Sequence, residues 1–256
     1  MLLALLTAAP AAAQGRSVGA ESPAIYLGSW LDDASVVAPG ALWGGVSFGY
    51  WRLDLARQID GPVFDMALGA APHVHIGASV PVYHFNDGAG STSSGLGRVY
   101  LYGKVQLRDA AKSDGRVGVA VTPILEIVND TQTERRVSWA APISLEVRHG
   151  SARVYGSAGY FSRGALFFSA ALESLLAPRL IVTGTIGSTY STGKEGPIAL
   201  LRDARSRTDL GLSAAVPLTP ALAIFGAAGH SFSASVEVGG GKWFAGGISV
   251  LIAGIR

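Results

Sequence analysis

The sequence contains no cysteine. That excludes a disulfide scaffold and a thiolate metal site, and a chain folding in an oxidising compartment carries no thiol to mispair. Charge is scarce too: Asp, Glu, Lys and Arg make up 15% of the residues, against about 25% in an ordinary soluble domain. A formal net charge of +2, with no Lys/Arg block, gives no electrostatic footprint for a nucleic acid. Also missing is any uninterrupted apolar stretch of about 18 residues beyond the start of the chain, the length that a spanning helix requires. What the chain does have is apolar and glycine-rich: 49% hydrophobic residues and 34 glycines, with a mean hydropathy of +0.35. Something other than water is therefore expected to solvate part of its surface, and if it crosses a membrane it does so with strands.

Residues 1–13 read as the remnant of a signal peptide, in which Leu2 to Leu6 supply a short apolar run and Ala11-Ala12-Ala13 fit a small-residue cleavage site. Residues 14–40 form an N-terminal linker or plug segment, and residues 41–256 a β-barrel domain. Within the linker, Tyr26 to Val37, with Trp30, Leu31, Asp32 and Asp33, falls outside the strand pattern. The bland reading is a loosely held lead-in, as termini commonly are; the functional reading is a lumen plug that gates passage.

From about Leu42 onward, segments of about ten residues with period-two hydrophobicity alternate with Gly, Pro, Asp, Asn and Ser. In Gly97 to Arg108, Val99, Leu101, Val105 and Leu107 share one face and Arg98, Tyr100, Tyr102, Lys104 and Gln106 the other. The next two segments repeat this, with Val117, Val119, Val121, Leu125 and Ile127, then Val137, Trp139, Ile143, Leu145 and Val147. Less polar versions are Leu42–Arg52, Val63–Ala70, His73–Tyr83, Arg153–Phe161, Leu166–Ser174, Leu180–Tyr190, Thr208–Val216, Leu222–His230 and Trp243–Ile252. Tight connections at Ala71-Pro72, His149-Gly150, Leu176 to Pro178 and Leu218 to Pro220 alternate with longer polar ones at Asp54–Gly61, Asn86–Leu96, Asn129–Arg136, Ser191–Ser206 and Ser231–Gly241. Pro81, Pro123 and Pro142 fall inside the strands, where each removes a ladder hydrogen bond, so bulges or strand ends are expected there.

These segments match the nine to eleven residues that a tilted strand needs to cross a bilayer, and no amphipathic helix is at hand to cover an open sheet. The reading is all-β: a closed antiparallel transmembrane β-barrel of about 12 strands, with short periplasmic turns and longer outer loops, in the bacterial outer membrane. A soluble β fold is the competing architecture.

The stretch Gly95-Leu96-Gly97-Arg98-Val99-Tyr100-Leu101-Tyr102-Gly103-Lys104 resembles the glycine-led strand start of the outer-membrane transporter family associated with the meta-pathway of phenol degradation. Leu175 to Leu180 and Leu218 to Leu222 are similar to that family's periplasmic turns. The resemblance covers about Pro39 to Arg256 and implies passage of small, hydrophobic molecules.

By parity, the side chains facing inward include Asp65, Arg98, Tyr100, Tyr102, Lys104, Arg116, Glu126, Glu146, Arg148, Arg153, Tyr155, Glu173, Arg207 and Asp209. Placing Arg or Lys on the lipid face costs about 2–4 kcal/mol at mid-depth, which is why charges gather on one parity. They either sense permeant charge or pair with one another as a filling array. His73-Val74-His75 puts two imidazoles on one strand face without a third ligand, which reads as a polar strand end and not as a metal site. For catalysis, His230 and Ser231 point to opposite faces and His84 has Asp87 and Ser91 nearby, a weak basis for a lipid hydrolase. Gly239-Gly240-Gly241 precedes no helix and makes no phosphate loop. The functional expectation is a monomeric, non-enzymatic barrel without cofactors, in contact with outer-membrane lipid, passing an unidentified small solute that is hydrophobic or anionic. A structural or adhesive barrel with a closed lumen is the alternative, and a membrane-embedded hydrolase the next.

Overall fold

The computed structural model of the chain describes residues 31–52, 57–86, 92–112, 117–127, 137–162, 164–192, 206–233 and 241–252. Its elements are β1 (Leu42–Arg52), β2 (Arg57–Ala71), β3 (Val74–Asn86), β4 (Thr92–Leu96), β5 (Val99–Arg108), β6 (Val117–Val121), β7 (Ile124–Ile127), β8 (Val137–Ala140), β9 (Ile143–His149), β10 (Ala152–Phe161), β11 (Ala165–Ala177), β12 (Leu180–Ser191), β13 (Ser206–Pro217), β14 (Leu222–Ser233) and β15 (Gly241–Ile252). β4 with β5, β6 with β7 and β8 with β9 are each one strand interrupted once, so the segments make a closed antiparallel barrel of 12 strands. Closure comes from β1, which pairs with β15 along its whole length, from Leu42↔Ile252 to Arg52↔Lys242.

Proline accounts for two of the interruptions directly. Pro123 separates β6 from β7 and Pro142 separates β8 from β9, since neither can donate to the ladder. Their carbonyls still accept, from Gly103 N–H at 3.1 Å and Thr122 N–H at 3.0 Å respectively. Pro81 stays within β3, opposite Val63, and its carbonyl accepts from Gly97 N–H at 2.8 Å at the break between β4 and β5. The wall is kinked through adjoining strands without leaving those carbonyls bare.

Two loops expected from sequence are partly strand. Asp54–Gly61 is extended from Arg57 onward, β2 absorbing Gly61-Pro62 as an irregularity in register, and Asn86–Leu96 contains β4. The alternation of Arg57, Gln58, Ile59 and Asp60, and of Thr92, Ser93, Ser94 and Gly95, carries too little apolar contrast to mark a strand. His73 lies in the β2–β3 turn with φ of 68° and not on the strand with His75.

Side chains of alternate parity divide as the pattern demands. Phe64, Met66, Leu101, Leu125, Leu145, Leu172, Leu212 and Ile248 are all exposed on the outer surface, while Lys104, His75, Glu126, Glu146 and Ser144 are fully buried within. The outer surface is also graded along the barrel axis. Trp139, Tyr160, Tyr190 and Phe232 are exposed toward the long-loop end, with Trp139 edge-on to Tyr160 at 6.3 Å, and Leu175, Leu176, Ile224 and Ile252 toward the short-turn end. An aromatic girdle above an aliphatic band is the surface that a bilayer interface selects.

Leu172, 58% exposed near the middle of β11, should therefore be lipid-facing. Leu172→Arg is expected to destabilise the barrel by about 2–4 kcal/mol and Leu176→Arg, beside a turn, by about 1 kcal/mol or less. Denaturant unfolding of the barrel refolded in lipid vesicles measures both; equal, small costs would contradict a hydrocarbon-facing surface.

Candidate functional site in the barrel lumen

The interior is built in two tiers. Toward the long-loop end, one sector is filled by Tyr100, Ile124, Ala140, Phe161, Ala165 and Phe167, with the Phe161 and Phe167 rings 5.0 Å apart and Tyr102 packed alongside. Tyr102 reaches across to donate its hydroxyl to the Met66 carbonyl at 3.2 Å. Arg98 flanks this sector and binds Glu126 at 3.1 Å, and Glu126 also accepts from Tyr100 and Ser138. The opposite sector holds Arg207, whose guanidinium donates to Asp209 Oδ1 at 2.9 and 3.0 Å and to Ser231 at 2.6 Å, beneath the Trp51 ring at 5.8 Å. Trp51 in turn donates to Asp60 Oδ2 at 2.7 Å and lies 5.6 Å from Trp243. Trp243 lies so close over Gly229 and Gly211 that a Cβ at either position would strike its ring. Glycine there lets a large ring lie flat against the wall.

The lower tier is organised by a segment that is not a strand. Residues 31–38 run inside the barrel, and Leu31, Asp32, Asp33, Ala34, Ser35 and Val37 are all buried. Leu31 packs against Tyr155 and Ala171. Asp32 is bound by Lys104, by Thr122 Oγ1 at 2.9 Å and by Ser144 Oγ at 3.2 Å. Asp33 accepts from Arg153 at 2.9 Å, and Gln106 donates to the Ala34 carbonyl at 2.9 Å. Ser35 donates to Glu146 at 3.1 Å, and the Val37 N–H donates to His75 Nδ1 at 3.1 Å. Val37 then joins Ala41, Trp43 and Ala67 where the chain turns into β1. Arg153 is the hub: besides Asp33 it binds Glu173 through two nitrogens at 2.6 and 3.1 Å, approaches Glu146 at 3.5 Å and stacks on Tyr155 at 4.6 Å. Glu146 also takes Arg148 at 2.5 Å. Buried charges persist only when paired in this way, and removing one partner strands the rest.

The segment leans on β3, β5, β9 and β10 and leaves the other side open. There a cavity of about 400 Å³ is bounded by Ser35 to Ala38 on one side and by Trp43, Ile181, Ala215, Ala223 and Ser249 on the other, with Arg148, Arg153 and Glu173 at one edge. Small side chains on β13, β14 and β15 create that space, because a twelve-stranded wall with larger ones would fill itself.

Of the lumen residues named from parity, Tyr100, Lys104, Glu126, Glu146, Arg153, Tyr155, Glu173, Arg207 and Asp209 are buried inside, while Asp65, Arg98, Tyr102 and Arg148 are half-buried. Arg116 lies outside the described residues. The structure gathers Lys104, Glu146, Arg148, Arg153 and Glu173 around the segment, and sets Arg98 with Glu126, and Arg207 with Asp209, in separate clusters nearer the long loops. Sequence reasoning set Gln106 on the face of Lys104 and offered a lumen plug as one reading of the lead-in, but it did not connect the uncharged partners Thr122, Ser144, Gln106 and His75 to that segment. The one local signal was the Asp32-Asp33 pair set in an otherwise apolar stretch. His84, considered as a base, faces outward and meets Ser94 Oγ at 2.5 Å through Nδ1, whereas Asp87 and Ser91 lie outside the described residues. His230 packs edge-on against Phe232 at 4.6 Å while Ser231 points inward to Arg207. Among the described residues, the contacts of the two imidazoles are Ser94 for His84 and the Phe232 ring for His230, and neither is a carboxylate of the kind that orients a catalytic base.

No protein-family model matches the chain, and no curated protein matches it. Solved structures do. An outer membrane channel from Pseudomonas putida F1 superposes with a TM-score of 0.63 at 12% identity, covering 86% of this chain and 97% of that one. The NanC porin gives a TM-score of 0.58 at 8% identity over 81% of this chain and 98% of its own. The KdgM porin in complex with disordered oligogalacturonate gives 0.54 at 6% identity over 80% and 98%. At such identities the likeness is one of fold, and the fold is that of a twelve-stranded β-barrel of the bacterial outer membrane.

Proposed function

We propose that the chain is an outer-membrane channel for passive passage of small solutes, narrow and gated by its own lead-in. The observation that carries this reading is the 400 Å³ cavity beside residues 35–38: at the short-turn end the lumen is shared between a bound segment and open space that reaches the turns at Gly150, Pro178 and Pro220. The resemblance of Gly95 to Lys104 to a transporter family, and the fold shared with channels and porins, support the same reading. The lining of the cavity, about half of it Ala, Val, Ile, Leu and Trp, with Arg148, Arg153 and Glu173 at its edge, suits small molecules that are apolar or that carry an anionic group to the two arginines. The lumen-facing residues named above are its wall, and the chain acts as a monomer in lipid. A hydrolase built on His84 or His230 would turn over lipid; the purified barrel is expected to release no fatty acid from the phospholipid around it, with His84→Ala and His230→Ala indistinguishable from the unsubstituted protein.

Single-channel recording in planar bilayers tests the reading. The purified protein is expected to conduct, and Ala215→Trp or Ala223→Trp, each adding an indole to the cavity wall, is expected to lower conductance about two-fold or more by narrowing the lumen. Ala214→Trp, on the exposed face of β13, should leave conductance unchanged. Silence of the unsubstituted protein, or equal effects at Ala214 and Ala215, would overturn the channel reading in favour of a closed structural barrel.

A further inference from the structure

In the lower tier, four donors of the wall converge on two carboxylates that do not belong to the wall. The Lys104 ammonium binds Asp32, lies 3.6 Å from the Asp33 carboxylate and donates to the Asp33 carbonyl at 3.1 Å. Thr122 and Ser144 share one oxygen of Asp32, and Arg153 holds one of Asp33. The donors come from β5, the β6–β7 junction, β9 and β10, each fixed by the ladder. The acids ride on residues 31–38, which pair with no strand. The donors thus belong to the wall, and the acids to a segment outside the ladder. Lys104 is only 1% exposed, and a cation so buried demands an anion close by. The wall's own carboxylates at this place, Glu146 and Glu173, are already engaged by Arg148 and Arg153.

We infer that Lys104, Thr122, Ser144 and Arg153 form a carboxylate-recognition site of the lumen, and that Asp32-Asp33 is its built-in occupant, displaced by a small dicarboxylate solute. The inference rests on the channel reading and specifies its substrate class. Two adjacent aspartates mark the site for a ligand bearing two carboxylates a few atoms apart. Neutral sugars and hydrocarbons offer nothing that a buried ammonium and guanidinium can exchange for those acids. The cavity on the segment's open side, edged by Arg148, Arg153 and the Glu173 that Arg153 already holds, is the approach from the short-turn end. Because the occupant is tethered, its effective concentration is in the millimolar range, and a free solute must reach about that level to compete.

The full chain has no cysteine, so a single thiol reports the segment. In Val37→Cys, where the native side chain is buried against Trp43 and Ala67, maleimide labelling is expected to be slow. Sodium succinate should accelerate it about five-fold or more at millimolar concentration, and sodium chloride at equal ionic strength should not. With Asp32→Asn and Asp33→Asn, succinate should bind about ten-fold more tightly by calorimetry, and adding Lys104→Met should abolish that binding. If the thiol variant does not fold, the calorimetry on the double Asn variant decides alone. Unchanged labelling with succinate, or no succinate binding by a folded double Asn variant, overturns the inference and leaves a static ion-pair array. A barrel that conducts without binding succinate refutes the site and keeps the channel; one that binds succinate without conducting keeps the site and refutes the channel.

Discussion

In hydrocarbon no backbone N–H or C=O can be left for water to satisfy, and every other feature of this chain follows from obeying that constraint. The β1–β15 pairing, unbroken from Leu42 to Arg52, converts an open sheet into a ring and removes its edges. Once the ring is closed, each strand has an outside and an inside, and residues two apart must agree. This is why Leu210 and Leu212 are exposed while Arg207, Asp209 and Ser213 are buried on the same strand. Even the prolines respect the ladder, since Pro81, Pro123 and Pro142 each keep an accepting carbonyl in place.

Closure makes an interior, and the interior sets its own problem. Charges that the outer surface cannot tolerate collect where water is also scarce, so each needs a partner. Near the long loops the partners come from neighbouring strands, as with Arg98 and Glu126, or from the same strand, as with Arg207 and Asp209. Near the short turns the wall alone is not enough, and the lead-in brings Asp32 and Asp33 to Lys104 and Arg153. The same contacts that neutralise the wall hold residues 31–38 across one side of the lumen, while the small side chains Ala215, Ala223 and Ser249 keep the other side open. One set of ion pairs thus both neutralises the wall and places the segment.

The barrel was legible in the sequence because a strand between two solvents writes a period of two. Leu101, Leu125, Leu145 and their intervening polar residues declare their faces without reference to any distant residue. The pattern failed where the strands rise past the hydrocarbon, at Arg57 to Asp60 and Thr92 to Gly95, since both faces there meet polar surroundings and the contrast vanishes. It also could not place the lead-in. The bonds that Asp32 and Asp33 make to the wall reach partners 71 to 120 residues away, and no local periodicity encodes a contact of that range. Parity named Lys104 and Arg153 as inward; only the fold brings them to the same pair of carboxylates.

The apolar parity meets hydrocarbon and the polar parity does not, and tryptophan fluorescence in bilayers tests this directly. Trp139 is 54% exposed on the outer surface, whereas Trp43, Trp51 and Trp243 are buried in the lumen. In variants retaining a single tryptophan, with the others changed to phenylalanine, lipids brominated high on their acyl chains should quench Trp139 strongly and Trp243 weakly. Trp139 indifferent to brominated lipid but quenched by aqueous iodide would mean that the outer face meets water, and the barrel would then not be a membrane protein.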